Sequence, residues 1–100
     1  MKKKTEENKK SGMKITMVDD IFGVARVNNY SDDLTFFTLV IKVSDQISAS
    51  IDGCKVISKD DRDFIGFPSK KVEDKYYNIA YVNLSDEIQS KIIDKIAELI

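Results

Sequence analysis

One hundred residues, 42% hydrophobic and 33% charged, make a soluble single domain with one modest core. Sixteen Lys+Arg against seventeen Asp+Glu leave a net charge of −1, which excludes a protein that coats nucleic acid through bulk positive charge. A single cysteine, Cys54, excludes a disulfide scaffold, and the lack of histidine excludes Ser-His-Asp and Cys-His catalysis together with the commonest zinc ligand.

Residues 1–12 read as a disordered basic tail. Five lysines and two glutamates give it a charge of +3, and Met1 is its only apolar side chain, so nothing offsets the entropy of ordering it. A solubilising leader is the common role of such a tail, and a basic arm can also attract phosphates. Thr5 to Lys10 is polar where a signal peptide would be apolar, and no run is long enough to span a bilayer, so the expected location is the cytoplasm. Residues 13–100 form the expected domain.

Lys14 to Val18 alternates as a short strand. Ile21 to Val27 reads as a second, with Phe22, Val24 and Arg26 on one face and Ile21, Ala25 and Val27 on the other. Asn28 to Asp33 is turn-like in composition. Thr35 to Val43 is the strongest strand signal, apolar on both faces. Such a strand is either central and covered on both sides, or covered on one side by a partner subunit. Gln46 to Ser58 has two readings. Asp52-Gly53 is the standard signal of a two-residue hairpin, the reading local rules favour, and the alternative is that Gly53 marks a bulge or bend in one continuous strand.

Ser58 to Asp63 reads as a loop and Phe64 to Phe67 as a strand stopped by Pro68. Lys70-Lys71 then falls on an exposed loop, Val72 to Lys75 turns, and Tyr76 to Val82 is a last extended segment. Ser85 caps a C-terminal helix, with Asp86 and Glu87 in its first turn. Ile88, Ile92, Ile96 and Leu99, with Ile93 and Ile100, form its apolar stripe. The predicted fold is α+β: a small antiparallel sheet of four to six strands with this helix against it, in two layers.

Catalytic chemistry has no visible basis. The acidic pairs Asp19-Asp20, Asp32-Asp33, Asp60-Asp61 and Glu73-Asp74 mostly sit at turns, where aspartate is favoured for local hydrogen bonding, and the Asp60 stretch lacks calcium-loop spacing. Cys54 has no histidine to activate it and reads as a small buried hydrophobe. No glycine-rich phosphate loop occurs, and no cofactor, metal or membrane span is expected. Tyr76, Tyr77 and Tyr81, with Phe64 and Phe67, could stack bases, although core packing is the commoner use of such rings. Lys70, Lys71 and Lys75 form the densest positive cluster of the folded part. Lys-rich clusters contact phosphates, and a sheet could bring Arg26 and Lys55 near.

Phe64-Ile65-Gly66-Phe67-Pro68-Ser69-Lys70-Lys71 resembles the signature of the bacterial stage V sporulation protein G family, the septation regulators. Arg26-Val27-Asn28, Cys54-Lys55-Val56-Ile57, Tyr77-Asn78-Ile79 and Asn83-Leu84-Ser85 with Lys91-Ile92 are similar to further family segments, over about Asp20 to Ile100. The P-S-K-[KR] element is the specific part of this resemblance. It implies an antiparallel sheet, a C-terminal helix, a homodimer, and DNA or RNA binding in the control of gene expression, sporulation or septation. By motif it assigns nucleic-acid contact to Lys70 and Lys71, and more weakly to Lys91. It also implies that Gln46 to Ile57 is one long strand. Two departures stand beside it: the helix mixes acids with its lysines, and the turn at Asn29 to Asp33 is acidic. The other function class consistent with near-neutral charge and a two-sided apolar strand is a protein–protein interaction module without nucleic-acid binding.

Overall fold

In a computed structural model that describes residues 14–100, the alternating runs pair into a five-stranded antiparallel sheet in chain order. Its strands are β1 (Thr16–Met17), β2 (Phe22–Ser31), β3 (Leu34–Lys42), β4 (Ser48–Lys59) and β5 (Arg62–Gly66). A separate two-stranded hairpin follows, β6 (Ser69–Val72) with β7 (Lys75–Asn78), and then helix α1 (Asp86–Leu99). The expected α+β class holds. The expected tail at 1–12 lies outside the described residues.

Each strand must turn its apolar residues toward one helix, and β2 and β4 manage this with an extra residue. In β2, Ala25 pairs with Thr38 and Asn28 with Phe36, so Arg26 and Val27 together oppose Phe37. Arg26 takes φ 50, the left-handed conformation of a bulge residue. The bulge therefore places Val27, rather than Arg26, on the core side with Phe22 and Val24. The alternation predicted Arg26 on that face; simple period-two counting fails where an extra residue enters the ladder.

In β4, Phe37 pairs with Cys54 and Leu39 with Ile51, so Asp52 and Gly53 together oppose Thr38. Gly53 has φ 82. Asp52-Gly53 is thus a bulge within one strand and not a hairpin turn, as the family resemblance implied. Thr38 Oγ1 donates to Asp52 Oδ1 at 2.8 Å, which satisfies both groups at the bulge. Inward residues run Ile51, Cys54, Val56. Without the extra residue, Lys55 would take an inward position, and an unpaired buried ammonium costs several kcal/mol.

Helix α1 closes the core. Ser85 Oγ accepts the Ile88 N–H at 3.2 Å, the expected N-cap. Ile92 and Ile96 are fully buried against Val24, Phe37, Leu39, Cys54 and Val56, worth about 1.5–3 kcal/mol per isoleucine. The surface pairs Lys91–Glu87 at 3.8 Å and Lys95–Glu98 at 3.4 Å contribute on the order of 0.5 kcal/mol or less, so packing decides where the helix sits. The predicted stripe runs too far: Leu99 and Ile100 are exposed.

The central strand β3 is covered on both faces in its middle, since Thr38 and Val40 are as buried as Phe37 and Leu39. On the side away from α1, Ile15 and Met17 lie over Gly23, where a Cβ would come within 2.8 Å of Met17 Sδ. The acidic pairs occupy turns. Asp60-Asp61 and Glu73-Asp74 have positive φ at both residues, the geometry that suits two-residue hairpins. Asp19 Oδ1 accepts the N–H groups of Phe22 at 2.7 Å and Ile21 at 2.8 Å. These bonds, the Phe22 one foremost, hold its carboxyl below the ordinary value of 3.8.

A Gly53→Ala substitution tests the β4 bulge. The added Cβ meets Pro68 only at 3.4 Å, an ordinary contact, so the cost is backbone strain at positive φ. Urea unfolding is expected to show a loss of about 1–2 kcal/mol. An unchanged midpoint would mean that the strand does not require the left-handed residue.

Candidate nucleic-acid interface

Pro68 ends the main sheet's last segment, and the chain turns out into the β6–β7 hairpin. Ile79 N–H donates to the Pro68 carbonyl at 2.8 Å, which closes the base of the excursion. Phe67 and Tyr81 meet edge-on above it, 5.1 Å between ring centroids. All eight residues of the two strands are exposed. The lysines Lys70 and Lys71 lie on β6 and Lys75 opens β7, so the expected loop is an ordered ribbon.

The pairing fixes which side chains share a face. Lys70 opposes Tyr77 and Val72 opposes Lys75, and these four lie on one face. Lys71 opposes Tyr76, with Ser69 and Asn78, on the other. Lys71 Nζ stands 5.8 Å from the Tyr76 ring centroid, within cation–π range. Tyr76 is 70% exposed and Tyr77 55%. The commoner expectation of core packing is overturned for Tyr76, Tyr77 and Tyr81, which have no core to enter; Phe67 alone of this group packs against it, and Phe64 lies exposed on β5. At the hairpin tip, Glu73 and Asp74 offset two of the three lysine charges.

The other sequence-derived candidates do not all converge on this ribbon. Lys55, half-buried on β4, pairs with Gly66 and lies over it at the base of the excursion. Arg26 sits on β2, across β3 from Lys55, in a shallow cleft with Lys14 and Leu99. Lys91 belongs to the helix surface and is engaged by Glu87. The lysine cluster was legible in sequence. The ribbon was legible only in part: the turn at Val72 to Lys75 and the extended segment from Tyr76 show in the sequence, but Ser69-Lys70-Lys71 has no apolar alternation to mark a strand.

Among the described residues, no group of three or more His, Cys, Asp or Glu side chains is placed to hold a metal ion. No helix among them is long and apolar enough to cross a membrane. Cys54 is fully buried, and its thiol donates weakly to the Ile51 carbonyl at 3.4 Å. Burial pushes its pKa from 9.0 up to about 11, with the Leu39 backbone bond opposing and Asp52 adding to the rise. A thiol held protonated in an apolar site is a poor nucleophile. No family model, curated protein or solved structure matches this chain.

The raised thiol pKa has a stability consequence. Below pH 9 the thiol is protonated in both folded and unfolded chains, and the stability is full. As pH rises from 9 to about 11, the unfolded chain ionises first and the folded state loses ground. Urea midpoints across that window are expected to fall more steeply for the wild type than for Cys54→Ala. Parallel curves would contradict the assignment.

Proposed function

We infer that this chain is a nucleic-acid-binding regulatory protein that acts as a homodimer in the cytoplasm, resembling the septation and sporulation regulators. The observation that carries the reading is the β6–β7 ribbon, which holds Lys70, Lys71 and Lys75 beside two exposed tyrosines. Exposed lysines contact phosphates, and exposed rings stack on bases. Lys55 at the ribbon's base extends the positive surface. Arg26 and Lys91 are auxiliary, since each lies on another part of the fold. The α1 surface pairs its lysines with glutamates, so this reading gives it a minor role.

The homodimer part rests on the sheet face away from α1. There Tyr30 and Phe64 are exposed beside half-buried Phe36 and Ile57, and Tyr30 meets Phe36 edge-on at 6.1 Å. The outer edge of β5 is unpaired in the five-stranded sheet. An apolar face beside a free edge is the surface a second copy can cover.

The same features favour a second reading, a protein–protein interaction module. Exposed Ile15, Met17 and Ile47 line a groove with buried Val40, which supports it. The two readings separate by salt. Lysine–phosphate binding weakens steeply as salt rises, and apolar association does not.

Fluorescence anisotropy of labelled DNA and RNA over several salt concentrations tests the first reading. Binding in the micromolar range is expected at low salt, with a slope of log K against log salt of roughly −2 to −3, matching the ribbon lysines. Lys70→Glu with Lys71→Glu is expected to abolish it while circular dichroism stays unchanged. Unchanged affinity in that variant would sink the assignment.

A further inference from the structure

We propose that the β6–β7 ribbon enters the major groove of B-form duplex DNA, with its two faces toward the two phosphate walls; this rests on the nucleic-acid reading above. The argument starts from the split of the lysines. Lys70 and Lys75 lie on one face with Tyr77, and Lys71 lies on the other with Tyr76. Both faces are exposed, and neither packs on another element. A single strand laid on a platform needs one face only, and charge on the reverse would go unused. An element with cations on both sides fits a ligand that surrounds it.

Dimensions select the groove. A two-stranded ribbon with side chains is about 10 Å thick, judged from the spacing of packed sheets. The B-form major groove is about 12 Å wide and the minor groove about 6 Å. The major groove of A-form RNA is deep and too narrow for side chains to read. The tip also gains a role. Glu73 and Asp74 oppose binding to any phosphate surface. At the floor of a major groove they face base edges instead, where carboxylates accept from the amino groups of cytosine. The tight turn with positive φ at both residues keeps them at the leading end.

Anisotropy with three mixed-sequence probes tests this: duplex DNA, one of its strands alone, and the matching RNA duplex. The expected result is that duplex DNA binds at least about tenfold tighter than either alternative. Lys71→Glu alone, and Lys70→Glu with Lys75→Glu, should each weaken duplex binding by about tenfold or more. Equal or tighter binding of the single strand or the RNA duplex would overturn the groove and leave the nucleic-acid reading standing. So would loss of affinity on one face only. Failure to bind all three probes at low salt would overturn both.

Discussion

Of the three register breaks in the sheet, two mid-strand extra residues, one in β2 and one in β4, decide which side chains meet the helix. Both stand opposite the middle of β3, at Phe37 and Thr38. Each shifts the alternation by one, so that Val27, Cys54 and Val56 continue the inward row begun by Phe22, Val24 and Ile51. With strict alternation, Arg26 and Lys55 would point into the core, and the burial of either charge would outweigh an isoleucine's worth of packing. The single-layer core under α1 exists because the ladder breaks register in these two places.

The same shifts place the chain's cations outside. Arg26 and Lys55 are outward because Val27 and Cys54 are inward. Pro68 then ends the main sheet beside the β4 bulge, with its Cβ 3.4 Å from where a side chain on Gly53 would stand. From that point the chain runs out into a ribbon that owes nothing to the core. A two-stranded hairpin alone is marginally stable in water. Its sequence is correspondingly free to carry exposed Lys70, Lys71, Lys75, Tyr76 and Tyr77, which no core position would tolerate together. Among the described residues, the ribbon thus carries its three lysines on an exposed projecting element, while the lysines of α1 are paired with glutamates.

The elements that depend on local rules were legible in the sequence. β3 declares itself by aromatic and β-branched density, and α1 by the Ser85 cap and the isoleucine stripe. The elements that depend on a neighbour were not. A bulge is a relation between two strands, so Asp52-Gly53 reads locally as a turn, and Arg26 gives no local sign of a left-handed backbone. Strand β6 hides because Ser69, Lys70 and Lys71 show no apolar alternation, although the turn at Val72 to Lys75 is legible. Leu99 and Ile100 follow the helical stripe in sequence but stay exposed at the rims of clefts along the sheet. For the site, the Lys70–Lys71 cluster was plain. The exposure of the tyrosines was not, because an aromatic residue in an extended segment is ordinarily a core residue.

The central claim is that the ribbon, and not the helix, is the surface that meets nucleic acid. The most direct test is to titrate duplex DNA into isotope-labelled protein and follow its backbone amide resonances. The account predicts that shifts concentrate on Ser69 to Asn78, with smaller ones at Lys55 and little change along α1. Shifts centred on Lys91, Lys95 and their helical neighbours, with the ribbon unmoved, would contradict it.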